Sequence, residues 1–193
     1  MKKQLGFMID VRRCVGCRTC MAACKMENRV PDGAFRMKVY NQEGKIFYDR
    51  PTGEEQLELS WTPTPCMHCR KPACEKVCSV GAILKRDDGI VYIDHDKCIG
   101  CEKCVSECPY GVPAFMGEYK KADKCDMCKH RVDTGNLPLC VISCPSRAIT
   151  FGEADNPDSD LSKAVNAGRA KRQSPHSVQW SRMGNSPREP DCA

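Results

Sequence analysis

The apolar residues of this chain come in short runs, and turn signals separate these runs. Between residues 82 and 94 two apolar runs flank an Asp-Gly pair, which predicts two short strands joined by a hairpin turn. Short strands are also predicted at residues 37–40 and 57–61, and one weak helix at residues 159–170. Short strands combined with short helices predict an α+β fold.

No apolar run is long enough to suggest a membrane protein. Every uncharged apolar stretch falls short of the roughly 18 residues that a membrane-spanning helix needs. The N-terminus carries two lysines but reaches Asp10 after a very short apolar run, which does not fit a secretory signal peptide. The pair Arg12-Arg13 is followed by a cysteine motif and not by the apolar segment of a twin-arginine signal. We therefore expect a soluble chain that meets a membrane only through a partner.

The composition indicates that hydrophobic burial alone does not hold this fold. Of 193 residues only 6% are aromatic, whereas seventeen are cysteine. Three classes of protein are this rich in cysteine, namely secreted disulfide scaffolds, zinc proteins and iron-sulfur proteins. The spacing of the cysteines has to distinguish between them.

Sixteen of the seventeen cysteines form four groups of four. The groups are Cys14, Cys17, Cys20 and Cys24; Cys66, Cys69, Cys74 and Cys78; Cys98, Cys101, Cys104 and Cys108; and Cys125, Cys128, Cys140 and Cys144. The first and third groups have the spacing C-x2-C-x2-C-x3-C, and an eleven-residue insertion divides the fourth. Pro109 and Pro145 follow the third and fourth groups, whereas Ser79 follows the second.

This spacing is typical of iron-sulfur clusters. A C-x2-C-x2-C run directs three sulfurs at one cluster, and the fourth cysteine ligates the neighbouring cluster. Tetrahedral zinc uses two separated C-x2-C pairs, so a third cysteine at the next step has no role there. Disulfides require neither this repeated spacing nor the prolines, and no secretion signal supports them. The sequence therefore predicts iron-sulfur clusters.

The chain contains an internal duplication, which suggests how the groups pair. Residues 8–24 align with residues 92–108, and residues 78–83 resemble residues 144–149. Groups two and three lie on one continuous stretch joined by the predicted hairpin, as in a small βαββαβ bacterial ferredoxin, which leaves groups one and four for each other. We favour this nested pairing; the alternative is tandem pairing of one with two and three with four.

The nested pairing predicts four ligand sets, each with three cysteines from one group and one from its partner. The sets are Cys14, Cys17, Cys20 and Cys144; Cys24, Cys125, Cys128 and Cys140; Cys66, Cys69, Cys74 and Cys108; and Cys78, Cys98, Cys101 and Cys104.

With these four groups the chain resembles the iron-sulfur subunits of dimethyl-sulfoxide-reductase superfamily complexes, which include dimethyl sulfoxide, polysulfide, thiosulfate and arsenate reductases. The resemblance spans roughly residues 4–152 and rests on the order of the sixteen cysteines. It implies four [4Fe-4S] clusters in two nested ferredoxin-like lobes, and a molybdenum or tungsten bis-pterin catalytic partner. A quinone-linked membrane anchor subunit is frequent in the family. The implied role is electron transfer in anaerobic respiration, without substrate chemistry in this subunit.

The resemblance suggests how the chain is organised. We expect one lobe at residues 1–30 plus 115–152, the other at 60–114, an insertion at 31–59 and an extended tail at 153–193. The strands of the insertion are expected to pack against the partner subunit. The tail is too polar to fold alone, so we expect it to wrap along the catalytic subunit. The compartment is either cytoplasmic or, by co-export with a signal-bearing partner, periplasmic.

Two other functions remain open at this stage. One is a free-standing polyferredoxin or an electron-transfer partner of hydrogenase or formate dehydrogenase, and the other is a structural scaffold that clusters merely stabilise. The sequence has no nucleophile-base arrangement, phosphate-binding glycine loop or flavin motif. The formal charge of +5 does not predict nucleic-acid binding, because four clusters at about −2 each would reverse its sign.

Several residues near the cysteines are not expected to be ligands. Every cysteine position is filled, so His68 and His130 are expected beside the clusters or at the surface. Cys192 is expected to be a free surface thiol. The two tryptophans, Trp61 and Trp180, are expected to act as packing or interface residues. Four cations next to cysteines are expected to serve solubility: Arg18, Arg70, Lys103 and Lys129.

Overall fold

The computed structural model describes residues 3–41, 44, 46, 61–166, 171–174 and 177–179. Its helices are α1 (Thr19–Glu27), α2 (Ala73–Lys76), α3 (Lys103–Glu107), α4 (Lys129–Val132), α5 (Leu139–Ile142) and α6 (Asp160–Ala164). Its strands are β1 (Leu5–Ile9), β2 (Lys38–Tyr40), β3 (Thr62–Thr64), β4 (Ile83–Lys85), β5 (Val91–Ile93), β6 (Ala114–Met116), β7 (Lys121–Asp123), β8 (Ile149–Glu153), β9 (Lys171–Ser174) and β10 (Ser177–Gln179). Each described strand pairs antiparallel with one other. The short helices and strands confirm the predicted α+β class.

The first and last cysteine groups are joined by the sheet of β1 and β8. Leu5 lies opposite Glu153 and Ile9 opposite Ile149, so the segment before the first group pairs with the segment after the fourth. The rings of Phe7 and Phe151 pack with their centroids 5.5 Å apart. Helix α1, which carries Cys20 and Cys24 of the first group, contacts α5, which lies within the fourth.

The second and third groups are joined by the hairpin of β4 and β5. Ile83 lies opposite Ile93, and the turn contains Gly89 at φ 87°. The prediction of two short strands around an Asp-Gly turn is therefore confirmed. The hairpin also contacts the other unit, because the Leu5 N–H donates to the Asp88 carbonyl at 2.8 Å.

The described ends of the segment between the first two groups contribute to the interior of this chain. Strand β2 pairs with β3, and residues 57–60 of the second predicted strand lie outside the described residues. We expected these strands to pack against a partner, but Met37 and Val39 are only 2% and 1% exposed in this chain's own core. The expectation was wrong for these two residues because the pairing of β2 with β3 turns Val39 inward.

The described part of the C-terminal region starts with a short helix that docks on the β1–β8 sheet. Of the helix predicted at 159–170, the structure describes α6 and a π-helical continuation at residues 165–166, and residues 167–170 lie outside the described residues. The Ser159 hydroxyl accepts a hydrogen bond from the Ser162 N–H at 3.0 Å and caps the helix. Leu161 is buried against Gly6 and Gly152, which have no side chain to obstruct it. Trp180 and Cys192 lie outside the described residues.

The largest hydrophobic core is built around cysteines. Leu5, Phe7 and Ile9 pack in it together with the side chains of Cys20 and Cys24. The remaining cysteines of this core come from the fourth group, so the apolar residues of the fold surround thiols. Within the described residues, no helix combines the length and the hydropathy needed to cross a bilayer.

Candidate functional site

The sixteen cysteines of the four groups lie in the described part of the chain, and no disulfide joins any two of them. Cys17 and Cys101 are exposed, whereas six of the thiols are buried. The buried thiols are Cys20, Cys24, Cys104, Cys125, Cys128 and Cys140. The disulfide alternative therefore has no support among these residues.

All four groups share one backbone conformation at their first C-x2-C step. The residue before the second cysteine has a positive φ in every case: Gly16 at 66°, His68 at 45°, Gly100 at 72° and Met127 at 58°. Such a turn directs backbone N–H groups inward, as in an anion-binding nest. The N–H groups of His68 and Met127 accordingly donate to Cys66 Sγ and Cys125 Sγ, each at 3.4 Å.

A second repeated turn follows the last cysteine of groups two and four. The Ala82 N–H donates to Cys78 Sγ at 3.2 Å, and the Ala148 N–H donates to Cys144 Sγ at 3.2 Å. Ser79 follows Cys78, whereas Pro145 follows Cys144, so the two turns keep this hydrogen bond with different residues after the cysteine. The turn is set by a positive φ three residues after each cysteine, and not by the proline.

Burial and mutual repulsion identify which thiols of groups one and four lie together. Burial, and then the neighbouring Cys14, Cys144 and Cys17, together raise the pKa of Cys20 to about 12. The pKa of Cys24 is also raised to about 12, by burial and then by Cys128. Cys140 has its pKa raised well above the usual value by burial, then by Cys24 and Cys128. Thiols of group one thus face thiols of group four.

The same relation holds for groups two and three. Burial raises the pKa of Cys74 to about 12, with Cys66 and Cys108 among the neighbours that add to the shift. The pKa of Cys104 is raised to about 11 by burial, with further repulsion from Cys98, Cys101 and Cys78. In both units Cys20, Cys140, Cys74 and Cys104 are each repelled by thiols of the set that the nested pairing assigns to them.

Two further repulsions connect thiols of different predicted sets. Cys20 helps to raise the pKa of Cys140, after burial, Cys24 and Cys128. Cys66 helps to raise the pKa of Cys125, after burial and Cys24. Cys66 and Cys125 therefore lie near each other where the two units meet.

The polar groups around these thiols suit an anionic iron-sulfur cluster. Among the described residues, no group of three or more His, Cys, Asp or Glu side chains closes on a single metal ion. The buried Lys124 ammonium offers a positive charge. The buried Nε2 of His68, which has no hydrogen-bond partner among the described residues, offers an N–H donor. A cluster with four thiolates, at about −2, supplies the complementary charge.

The two candidate histidines differ in their surroundings. His68 is fully buried, its Nδ1 accepts the Val91 N–H at 2.9 Å, and burial lowers its pKa well below the usual value. His130 is half exposed and lies 2.8 Å from Glu27. Hydrogen bonds from His130 and Arg131 lower the pKa of Glu27. His68 thus lies directly behind Cys66, whereas His130 belongs to a surface ion pair.

Two of the four cations next to cysteines have surface partners in the structure. Arg70 pairs with Asp155 at 3.3 Å, and Lys129 lies 4.2 Å from the centre of the Tyr92 ring. Trp61 packs against Gly16, where an added Cβ would overlap the indole ring. The packing role expected for Trp61 is confirmed.

A buried network that the sequence did not reveal supports the second set of thiols. Arg36 Nε donates to Asp123 at 2.6 Å, and its NH1 lies 3.2 Å from Asp126 and donates to Asn28 at 2.9 Å. The Asn28 amide in turn donates to Cys24 Sγ at 3.6 Å and to Cys128 Sγ at 3.7 Å. Arg36 therefore orients the amide that contacts two thiols of this set.

The protein families that match this chain agree with the geometry of the cysteine groups. A family model of the 4Fe-4S dicluster domain matches residues 57–154, and a model of the 4Fe-4S binding domain matches residues 13–27. Together these matches include all four cysteine groups. Both models describe proteins that bind cubane iron-sulfur clusters.

Three relatives, each one component of a reductase, illustrate the similarity along the chain. It is 43% identical over 157 residues to a component of the anaerobic dimethyl sulfoxide reductase of Escherichia coli (strain K12), covering 80% of this chain and 76% of that one. It is 38% identical over 168 residues to a component of the tetrathionate reductase of Salmonella typhimurium, and the match covers 87% of this chain and 65% of that one. It is 36% identical over 198 aligned residues to a component of the selenate reductase of Mesobacillus selenatarsenatis, and the match covers 86% of this chain and 65% of that one.

Proposed function

Because this polypeptide belongs to the iron-sulfur subunits of the dimethyl-sulfoxide-reductase superfamily, we propose that it relays electrons to or from a molybdenum or tungsten bis-pterin catalytic subunit through four [4Fe-4S] clusters. The chain is an iron-sulfur electron-transfer subunit of a reductase complex. The observation that supports the finer proposal is that thiols of group one repel thiols of group four, and thiols of group two repel thiols of group three. The pairs Cys20–Cys140 and Cys66–Cys125 support the arrangement of the four proposed sets in a row.

The proposed ligands follow the nested pairing. The four sets are Cys14, Cys17, Cys20 and Cys144; Cys24, Cys125, Cys128 and Cys140; Cys66, Cys69, Cys74 and Cys108; and Cys78, Cys98, Cys101 and Cys104. All four cysteines of the third group are present, which supports four-iron clusters. The domain boundaries proposed from the sequence follow from the same pairing.

The chain's own residues have three tasks in this function. A bound cluster supplies one-electron chemistry, gaining or losing an electron with little change in geometry. The apolar core around the thiols excludes water from most of the row. Backbone N–H groups donate to the sulfurs, which stabilises the added negative charge of a reduced cluster. Cys17 and Cys101 are exposed, so the outermost sets are the places where electrons enter and leave.

Iron content and redox titration test the function. Anaerobically purified protein should hold about sixteen irons per chain, as four cubes require, and should show four reversible one-electron steps. Clusters that never change oxidation state in the physiological range would indicate a structural scaffold. Native mass measurement separates a dedicated complex, which retains a large pterin-containing subunit, from a free-standing polyferredoxin.

Pairs of substitutions test the nested ligand sets. Cys24→Ser combined with Cys125→Ser should damage one cluster, because both cysteines belong to one proposed set. Cys24→Ser combined with Cys66→Ser should damage two. Tandem pairing reverses these results, so the iron content and the number of remaining redox steps decide between the two schemes.

The catalytic partner is tested through the C-terminal region. Strand β10 contacts β1, so deletion of residues 171–193 removes part of this chain's own described structure. Deletion of residues 181–193 alone is the sharper variant. We expect it to weaken co-purification with the catalytic subunit while the iron content of this chain remains unchanged. Co-purification at the level of the unaltered chain would argue against a role of the tail in assembly.

A further inference from the structure

The boundary between the second and third thiol sets holds a buried lysine. Lys124 lies between β7 and Cys125, and its side chain is almost completely buried. Its Nζ donates to Cys66 Sγ at 3.5 Å, to the Cys125 carbonyl at 3.1 Å and to the Val91 carbonyl. One ammonium group therefore contacts a thiol of the third set and the backbone of a cysteine of the second.

No described carboxylate neutralises this charge. The carboxylates on either side in the sequence, Asp123 and Asp126, are both paired with Arg36. Within the part of the chain that the structure describes, Lys124 has no acidic partner within 4.0 Å. A buried ammonium without a counter-charge costs several kcal/mol. The thiolates of Cys66 and its set are the anions that can offset this cost.

Cys66 receives a second donor from the same region. The His68 N–H donates to Cys66 Sγ at 3.4 Å, and the ring of His68 is fixed by its hydrogen bond from the Val91 N–H. The Val91 carbonyl accepts a hydrogen bond from Lys124. Val91 therefore fixes both His68 and Lys124, the two residues that donate to Cys66 Sγ. Positive charge and N–H donors at a ligand sulfur favour the more negative, reduced state of a cluster.

We propose that Lys124 is a positioning residue that raises the reduction potential of the cluster on Cys66, Cys69, Cys74 and Cys108, and thereby sets the electron step between the two units. This inference rests on the proposed function. In that step one electron leaves one cluster and enters the other, so one is oxidised and the other reduced. No bond is made or broken and no proton is transferred.

The test is a potentiometric titration, followed by electron paramagnetic resonance, of the full chain in its anaerobically purified complex. Lys124→Gln and Lys124→Met remove the charge, Lys124→Arg retains it, and Lys121→Gln is the matched control. Lys121 lies on the adjacent strand β7 and donates to the His95 carbonyl, so it contributes a charge without contacting a thiol. The redox step of the relevant cluster is identified as the one that Cys108→Ser alters.

We expect each neutral variant to lower the equilibrium constant for reducing this cluster at least about tenfold, which is about 59 mV for a one-electron couple. The cluster on Cys24, Cys125, Cys128 and Cys140 should shift less. Lys121→Gln and Lys124→Arg should each change this equilibrium constant by less than about threefold, which corresponds to less than roughly 0.7 kcal/mol. Four unchanged steps in a neutral variant with full iron content would overturn the inference and leave the proposed function intact.

Two other outcomes are also decisive. If both neutral variants lose this cluster while Lys124→Arg keeps it at an unchanged potential, the charge is needed to hold the anionic cluster, which supports the electrostatic role. If Lys124→Arg loses it as well, the lysine acts through packing and the inference fails. If the unaltered complex itself lacks four reversible steps, the proposed function fails first.

Discussion

At the scale of single residues, the cysteine loops depend on backbone conformations that side chains rarely adopt. Gly100, between Cys98 and Cys101, has φ 72°, and an added Cβ would overlap the Lys120 carbonyl oxygen. We expect Gly100→Ala to destabilise the protein by about 2 to 6 kcal/mol, because backbone strain and overlap add. Thermal unfolding and iron content of the anaerobic protein measure the effect.

Gly111 provides the matched control for this prediction. It follows Cys108 at φ 58°, but an added Cβ would meet nothing within 4 Å. Gly111→Ala should therefore cost only the backbone strain, about 1 to 2 kcal/mol. Equal losses from the two substitutions would contradict the role assigned to the close approach of Lys120.

The buried Arg36 network gives a second prediction at this scale. Arg36→Met leaves Asp123 and Asp126 buried without their cation, which should cost about 3 to 5 kcal/mol. Adding Asp123→Asn and Asp126→Asn should recover part of the loss, because the unpaired charges disappear. The free energy of unfolding in denaturant measures both effects. Arg70→Met, which breaks a surface pair with Asp155, is the control and should cost about 0 to 1 kcal/mol.

At the scale of secondary-structure elements, the β1–β8 sheet carries the connection between the first and last cysteine groups. Phe7 is buried at 8% exposure and packs on Phe151 across this sheet. Phe7→Ala should destabilise the protein by about 3 to 5 kcal/mol. We expect iron release from groups one and four to accelerate before release from groups two and three.

Chelation kinetics followed by cluster absorbance test this order of iron release. Phe115→Ala is the control, because Phe115 lies on β6 and is 37% exposed. It should change stability by about 0.5 kcal/mol or less. Simultaneous release from all four groups in Phe7→Ala would show that the sheet does not stabilise one unit selectively.

The elements also show which features a sequence can predict. The β4–β5 hairpin was predictable because its strands are neighbours and Gly89 marks the turn. The partners of Arg36 and Lys124 could not be predicted, because these contacts join segments that only folding brings together. The one local signal was Asp123-Lys124-Cys125-Asp126, where charged residues flank a cysteine.

At the scale of the whole molecule, the thiols and the apolar core are one structure. The largest core combines β1 and β8 residues with cysteines of groups one and four, so packing and ligation cannot be separated. Arg36 pairs with two carboxylates of the segment 123–126, and Lys124 lies within that segment, yet only Arg36 is neutralised by described carboxylates. The fold thus places an uncompensated charge between Cys66 and Cys125, and a compensated one behind the Asn28 amide that contacts Cys24 and Cys128.

This dependence predicts the result of iron removal. Burial raises the pKa of Cys20, Cys24 and Cys74 to about 12, so these thiols are protonated at neutral pH when no metal is bound. Without iron the thiols lose the bonds that join separate groups, and the small apolar core remains as the main stabilising contribution. We expect anaerobic chelation in mild denaturant to produce an expanded chain with reduced far-ultraviolet circular dichroism and rapid proteolysis. The comparison is the same denaturant with a thiol reductant and no chelator, which should leave the fold intact; an iron-free chain that remained compact and protease-resistant would show that hydrophobic packing alone suffices.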